Sequence, residues 1–307
     1  MNAYADYITI DKESCTGCGR CVTVCPTDTI AVIDGVATVV SSCCMACDHC
    51  GSVCPEGAIV HRMNHEEACR FVTFSVRDCW VPPGTFDTGS LVELMASRRS
   101  CRNFNVDSVS RDCLTDLVKA GITAPTGTNS QAWTFTILSE REAVIRFGSE
   151  IAGFFRRVNR WAAHLFLCWL LKTVGWGALW RYRRDYYDVV REALEEWDSA
   201  GRDRLFHGAP AMIVVGSRPG ASCPTEDALL ATQNILLAAH TMGLGSCLIG
   251  FAVEAMRRNP AIRKSLGIPK EESVHAVIAL GYSRETYHRR AGRMMPLIRF
   301  SNGKPSG

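Results

Sequence analysis

The sequence predicts two folded units, a small cysteine-built module followed by a larger α+β domain. Nine of the sixteen cysteines lie between Cys15 and Cys54, and the other seven are scattered along the 307-residue chain. From about residue 90, segments with helical spacing of apolar residues alternate with short apolar runs typical of strands. We therefore expect a first domain at 1–65, a linker at 66–89 and a second domain at 90–307, with a helical insertion at about 150–205.

Composition excludes several classes of protein. The chain is 47% hydrophobic and 21% charged, and its mean hydropathy of +0.02 fits neither a disordered chain nor a polytopic membrane protein. A net charge of +3 gives no reason to expect nucleic acid as a partner. The N-terminus lacks the basic stretch and apolar core of a signal peptide, so we expect a cytoplasmic protein. Clustered cysteines in that compartment indicate metal or redox chemistry.

The cysteines of the first domain form two runs of the pattern Cys-x2-Cys-x2-Cys-x3-Cys-Pro, which start 29 residues apart at Cys15 and Cys44. This register predicts a duplicated half-domain. Three closely spaced thiolates wrap a loop around an iron–sulfur cube, with Gly17 and Gly51 permitting the bends. We expect the fourth cysteine to start a short helix and to bind the other cube. The two predicted ligand sets are Cys15, Cys18, Cys21 and Cys54 for the first cluster, and Cys44, Cys47, Cys50 and Cys25 for the second.

Zinc is the main alternative to iron and sulfur. Zinc sites usually pair two Cys-x2-Cys units across a longer gap and need no third cysteine three positions later. The two runs favour two [4Fe-4S] clusters, and residues 4–62 resemble the bacterial two-[4Fe–4S] ferredoxin domain. That resemblance implies a low-potential electron carrier. Cys43 lies outside the register and is interpreted as a packed or free thiol.

The second domain follows a segment, Val81-Pro82-Pro83-Gly84, that continues neither a helix nor a central strand. The apolar pattern then predicts helices and strands in alternation. The predicted helices are Leu91–Ser97, Arg111–Ala124 and Ala228–Met242, and the predicted strands are Thr134–Leu138, Ala211–Val215 and Val274–Leu280.

Four motifs in this domain carry candidate binding groups. Arg98-Arg99-Ser100-Cys101-Arg102 offers guanidinium groups and a hydroxyl to an anion, although such clusters are more often solvated surface. Ala124–Trp133 combines a proline, a glycine that allows close approach of a ligand, and amide side chains; the alternative is a capped turn before a strand. Gly243–Phe251 is glycine-rich but follows a helix, so the dinucleotide-binding interpretation fails. Arg289–Arg293 is a basic tail after the last strand.

The order and spacing of these motifs resemble the nitroreductase superfamily over residues 90–300, apart from 150–205. The resemblance implies an α+β homodimer, with a central sheet flanked by helices and FMN at each end of the subunit interface. It implies that Arg98 and Ser100 hold the phosphate and ribityl chain and that Arg102 meets the flavin N1/O2 edge. Backbone N–H groups of Ile249 and Gly250 would face N5 and O4. The remaining implied contacts are Pro125, Thr126, Gly127, Asn129 and Gln131, which form a loop that meets the flavin of the partner subunit, and Arg290 and Arg293 at the phosphate.

Residues 156–184 depart from the family, with four tryptophans, six arginines, one lysine and no acid. Within them, the run Trp161–Trp180 is nearly all apolar and long enough to span a bilayer. Alternatively, the segment lies on a membrane surface, with its arginines on anionic lipid. We favour a third interpretation, a helical excursion that covers the flavin and shapes a pocket for a small apolar or aromatic acceptor.

We therefore predict an enzyme, an FMN-dependent oxidoreductase in which two [4Fe-4S] clusters pass electrons to FMN and on to a nitroaromatic, a quinone or an activated alkene. An external ferredoxin or NAD(P)H would supply the electrons. Two alternatives are an electron-transfer subunit that serves a protein partner and a reductive dehalogenase. No side chain is assigned as a catalytic acid or base, and His164 and His207 are interpreted as structural.

Overall fold

The computed structural model describes residues 5–62, 66–77, 79–175 and 177–301. Some of the sequence predictions fall outside these ranges. They concern residues 1–4 and 63–65 of the first domain, residue 78 of the linker, Trp176 of the insertion and residues 302–307 of the tail.

The N-terminal module contains four short strands and two single-turn helices. Its elements are β1 (Ile8–Ile10), α1 (Arg20–Thr23), β2 (Ile30–Ile33), β3 (Val36–Val39), α2 (His49–Ser52) and β4 (Ile59–His61). Strand β1 pairs antiparallel with β4, and β2 pairs antiparallel with β3. Ile30, Ala37 and Ile59 form a small core together with Cys21 and Cys50. The two cysteine runs therefore enclose a shared interior.

The 29-residue repeat is visible in the backbone. Gly17 and Ala46 occupy equivalent positions and both have positive φ angles, of 64° and 54°. Gly19 and Asp48 form a second such pair, at 72° and 57°. A Cβ at Gly17 would lie 2.1 Å from the carbonyl oxygen of Gly35, so only glycine fits there. The equivalent Ala46 keeps its left-handed conformation at a cost in backbone strain.

One detail of the predicted cluster loops is wrong. The spacing predicts that the fourth cysteine of each run starts a short helix. Instead, α1 and α2 contain the third cysteines, Cys21 and Cys50, and the fourth cysteines follow the helices. The wider spacing before Cys25 and Cys54 is the length of chain that completes the helical turn.

The second domain is built on a four-stranded antiparallel sheet. Its strands are β5 (Trp133–Leu138), β6 (Ala211–Ser217), β7 (Gly245–Leu248) and β8 (Ser273–Gly281). They lie in the order β5-β6-β8-β7, so β5 and β7 are the edge strands. Every residue of β6 is buried, as expected of a central strand covered on both faces. The predicted α+β class is confirmed.

Nine helices of the described chain surround this sheet or lead into it. They are α3 (Thr88–Ser97), α4 (Arg111–Gly121), α5 (Arg141–Ala162), α6 (Leu165–Thr173), α7 (Ala178–Asp185), α8 (Tyr187–Ala200), α9 (Pro224–Thr241), α10 (Gly250–Arg258) and α11 (Pro260–Ser265). Met212 and Val214 of β6 pack toward α5 and α10. Ile213 and Val215, on the other face, pack toward α4 and α9. Alternation along one strand thus separates two apolar layers.

The tryptophan-rich run Trp161–Trp180 does not form one long helix. It is divided among the end of α5, the whole of α6 and the start of α7. No helix in the described ranges is both long and apolar enough to cross a bilayer. Helix α7 is fixed to its own domain, because the Tyr182 hydroxyl donates to Asn159 Oδ1 of α5 at 2.6 Å. The segment therefore returns to the domain as a helical excursion.

Candidate redox site in two parts

The eight cysteines of the two runs surround two separate cavities. One cavity is lined by Cys15, Cys18, Cys21 and Cys54, and the other by Cys25, Cys44, Cys47 and Cys50. Each cavity gathers three thiols from one run and the fourth from the other run, which is the grouping that the spacing predicts. Cys43 lines neither cavity.

Backbone N–H groups point at several of these sulfur atoms. Thr29 donates to Cys25 Sγ and Ala58 donates to Cys54 Sγ, both at 3.3 Å and at equivalent positions of the repeat. Such hydrogen bonds stabilise negative charge on a thiolate and tune an iron–sulfur cluster that it holds. Four thiols around a cavity, with N–H groups aimed at the sulfur atoms, fit a [4Fe-4S] cluster in each set.

The thiols of Cys25 and Cys50 differ in pKa when no cation is bound. Burial raises the pKa of Cys50 to about 11. Burial also opposes ionisation of Cys25, but hydrogen bonds from Thr27 and Thr29 hold the pKa of Cys25 below its ordinary value. A positively charged iron centre would favour the thiolate in every case, because metal coordination deprotonates a thiol.

The second cysteine set has a histidine neighbour that the sequence analysis did not identify. His61, at the end of β4, is 3% exposed, and its Nε2 lies 4.0 Å from Cys44 Sγ. Burial lowers the pKa of His61, which favours the neutral ring. His61 lies 17 positions beyond Cys44 and outside the repeated cysteine spacing, so the spacing of the run does not predict this contact.

The arginine–serine motif of the second domain lies along edge strand β7. Ser100 forms a parallel bridge with Ser246, and the N–H of Cys101 donates to the Ser246 carbonyl at 2.9 Å. A Cβ at Gly245 would approach the Cys101 side chain to 2.8 Å, so glycine permits this close packing. Two motifs almost 150 residues apart are thereby brought together.

Ser246 also has an unsatisfied polar atom. Its side chain is 1% exposed, and its Oγ has no hydrogen-bond partner within the described part of the chain. A buried hydroxyl without a partner is costly unless a ligand or water engages it. Together with Arg98, Ser100 and Arg102, this hydroxyl fits the edge of a bound polyhydroxylated phosphate ligand.

The expected role of the Ile249 backbone needs correction. Its N–H donates to the Val277 carbonyl at 2.9 Å and is engaged within the sheet. Gly250 is the first residue of α10, where N–H groups have no partner within the helix. Of the two predicted backbone donors, the Ile249 N–H is therefore occupied, and the contact of the Gly250 N–H with a ligand stays a prediction.

The residues just before the basic tail lie beside the arginine–serine motif. Asn103 Nδ2 donates to Glu285 Oε1 at 2.5 Å, and the Arg99 guanidinium lies 5.1 Å from the ring centroid of Tyr287. Further along, Arg290 and Arg293 are exposed, and Arg293 donates to the Gly292 carbonyl. Their predicted contact with a phosphate stays a prediction.

The remaining motif, Pro125–Gln131, is held by a carboxylate at the start of α9. Asp227 is 4% exposed, and it accepts from the Gly127 N–H at 2.9 Å and from the Ser130 hydroxyl at 3.2 Å. The space beside Gly127 is filled by Ser222 and Cys223, so this glycine allows close protein packing rather than the expected approach of a ligand.

The amide of Asn129, in the same loop, reaches the N-terminal module. Its Nδ2 donates to the carbonyl oxygens of Met45, at 3.1 Å, and Ala46, at 2.7 Å. Both carbonyls lie between Cys44 and Cys47. A residue expected at FMN thus contacts the second cysteine set.

An aromatic cluster forms around Phe251, the residue that follows Gly250 in the chain. Phe251 packs edge-on against Phe155 and Tyr186, with ring centroids 5.5 and 5.6 Å apart. Phe155 also stacks with Tyr182 of α7 at 6.3 Å. The helical excursion therefore borders the start of α10, and it lines that region with flat apolar rings.

Two family models match separate parts of the chain. Residues 95–282 match the family model described as nitroreductase family, and residues 8–31 match that of the 4Fe-4S binding domain. The match to the 4Fe-4S binding domain spans the first cysteine run.

Three curated relatives have reductase or deiodinase names. A putative NADH dehydrogenase/NAD(P)H nitroreductase of Archaeoglobus fulgidus is 25% identical, covering 63% of this chain and 86% of that protein. The iodotyrosine deiodinase of Thermotoga neapolitana is 24% identical, covering 62% and 88%. The 4-nitrobenzoate reductase of a Nocardioides species is 25% identical, covering 62% and 78%. The nitroreductase family model spans more than half of the chain. The chain therefore belongs to the nitroreductase family, and it is an oxidoreductase with a ferredoxin-type iron–sulfur domain on the N-terminal side.

Proposed function

We propose that this chain is an iron–sulfur flavoenzyme that passes electrons from two [4Fe-4S] clusters to FMN and from FMN to a small organic acceptor. The observation that carries the proposal is the contact of Asn129 with Met45 and Ala46. It joins the nitroreductase domain to the loop that holds the second cluster.

The residues along β7 form one side of the FMN site. Arg98, Ser100 and Arg102 bind the phosphate, the ribityl chain and the flavin edge, and Ser246 adds a buried hydroxyl. When bound, FMN accepts electrons singly or in pairs, which makes it suited to couple one-electron clusters to two-electron acceptors. The guanidinium of Arg102 favours the extra negative charge of reduced FMN.

Two copies of the chain complete the site. Pro125–Gln131 precedes edge strand β5, whereas Gly250 follows the opposite edge strand β7. A single copy therefore presents the two predicted halves of the FMN site at different edges of its sheet. A homodimer supplies each FMN with one half from each chain.

The acceptor class follows from the aromatic cluster beside Gly250. Phe251 and Tyr186 are exposed and offer flat apolar contacts to a planar substrate, with the buried ring of Phe155 packed against Phe251. Nitroaromatics, quinones and activated alkenes fit such a pocket. Relatives named 4-nitrobenzoate reductase and iodotyrosine deiodinase support aromatic acceptors, and the latter also supports a test of halogenated phenols.

The experiment is an anaerobic screen of the reconstituted holoprotein, with reduced ferredoxin, NADH or NADPH as donor. Multiple turnover of a nitroaromatic, quinone or alkene is the expected result. If a protein partner oxidises the reduced flavin while every small acceptor leaves it reduced, the chain is an electron-transfer subunit. A preparation that binds iron but no flavin overturns the proposal.

A further inference from the structure

Two strained loops meet at Asn129. On one side, Ala46 has a positive φ angle of 54° and is 6% exposed. On the other, Thr128, Asn129 and Gln131 have positive φ angles of 51°, 52° and 44°. Non-glycine residues adopt this conformation at a cost, and they keep it where surrounding contacts enforce it. The Asn129 amide supplies such a contact, because it bridges two consecutive carbonyls of the second cluster loop.

The position of Asn129 is fixed from within the second domain. Asp227 holds Gly127 and Ser130 on either side of it. The Trp133 indole N–H, at the start of β5, donates to the Asp227 carbonyl at 3.1 Å. The loop is therefore anchored to α9 and β5, and Asn129 presents a fixed donor to the N-terminal module.

This anchor is far from the arginine–serine half of the flavin site. Trp133 of β5 is aligned through β6 with Ser273 of β8, whereas Leu248 of β7 pairs with Ile278. Three strand spacings of about 4.8 Å and five residues of about 3.4 Å put these points about 22 Å apart. One tricyclic flavin ring cannot touch both, so the second cluster loop and the arginine half-site of one chain serve different flavins.

We infer that electrons leave each chain through its second cluster and enter the FMN held by Arg98, Ser100 and Arg102 of the other chain, with Asn129 as the positioning residue of this crossing. The inference rests on the proposed function. Each transfer oxidises one reduced cluster and supplies one of the two electrons that FMN takes up. The first cluster, whose Cys18 is exposed, is the entry point for an external one-electron donor.

Mixed dimers distinguish transfer across the interface from transfer within a chain. One dimer pairs a Cys47→Ser chain with an Arg98→Ala/Arg102→Ala chain, so its only intact second cluster and its only intact arginine half-site lie on different chains. The other dimer pairs a wild-type chain with a chain carrying all three substitutions. Direct reduction of FMN by the donor is the same in both.

We expect reduced ferredoxin to reduce the flavin of the first mixed dimer at least ten times faster than that of the second. The reverse order, or equal rates, overturns the inference and leaves the proposed function in place. Mixed dimers that contain iron but no flavin overturn the proposed function instead.

A second measurement needs neither turnover nor flavin. Asn129→Ala is compared with Asn234→Ala, which removes an amide that donates to Thr123 at 3.1 Å elsewhere in the domain. We expect hydrogen exchange at residues 44–48 to be at least tenfold faster in Asn129→Ala only, with unchanged iron content. Equal exchange in the two variants shows that Asn129 does not position the second cluster loop.

Discussion

Asp116 holds Thr73 by two hydrogen bonds, which reach the same carboxylate oxygen from the Thr73 N–H at 2.6 Å and the Thr73 hydroxyl at 2.7 Å. The N–H of Val72 donates to that oxygen as well. Asp116 belongs to α4 and is fully buried, whereas Thr73 lies in the connection between the two domains. One carboxylate therefore fastens the interdomain connection to the nitroreductase domain.

Asp116→Ala tests this fastening. The variant loses three hydrogen bonds to a charged acceptor, so we expect the free energy of unfolding to fall by about 2–4 kcal/mol. Chemical denaturation measures the loss, and limited proteolysis between residues 70 and 87 reports release of the connection. Thr115→Ala, on an exposed position of the same helix, is the matched control. Equal stability of the two variants would show that the carboxylate does not hold the connection.

Iron content tests the assignment of the cysteines. We expect about eight irons per chain in the anaerobically prepared protein and about four in Cys47→Ser, because a [4Fe-4S] cluster needs its ligand set. Cys43→Ser is the matched control, since Cys43 lines neither cavity, and it should keep about eight irons. Bound zinc, or four irons in the unaltered protein, would contradict a two-cluster module.

The cysteine sets could be grouped from the sequence because their ligands are locally spaced and the run is repeated. The partners of Asn129 and Asp227 could not, since each contact joins residues more than 80 positions apart. The start of α9, by contrast, has a local signal in the sequence. Helix α9 begins at Pro224 rather than at Ala228, and its proline at the first position followed by Glu226 and Asp227 is a typical helix start.

Arg102→Ala tests the proposed flavin edge. Loss of one charged hydrogen bond costs about 1.5–3 kcal/mol, so we expect FMN affinity to fall about 10- to 100-fold. The flavin potential should also become more negative, while iron content stays unchanged. Fluorescence titration of the flavin-free protein with FMN measures the affinity, and spectroelectrochemistry measures the flavin potential. Arg99→Ala, which removes a neighbouring guanidinium that stacks on Tyr287, is the control; if Arg99→Ala and Arg102→Ala behave alike, Arg102 does not contact the flavin.

Acid sensitivity should depend on His275, which joins three elements of the second domain. Its Nε2 lies 2.9 Å from the Ser217 hydroxyl of β6, and its Nδ1 lies 3.3 Å from the Thr225 hydroxyl of α9. Burial, with a smaller contribution from the charge of Arg257, lowers the pKa of His275 from 6.5, against the opposing charge of Glu226. The unfolded chain therefore binds the proton more readily than the folded protein does.

The stability that neutral His275 contributes is fully present above pH 6.5 and is lost as the pH falls from 6.5 toward the lower folded-state pKa. We expect the denaturation midpoint to drop between pH 7.5 and pH 5.5 and to drop less in His275→Gln, whose amide keeps hydrogen-bonding capacity without titrating. His288→Gln, at an exposed position of the tail, is the control. Acid effects on the clusters are the same in the unaltered protein, in His275→Gln and in His288→Gln. If His275→Gln loses as much stability as the unaltered protein over this interval, protonation of His275 is not the cause of the acid sensitivity.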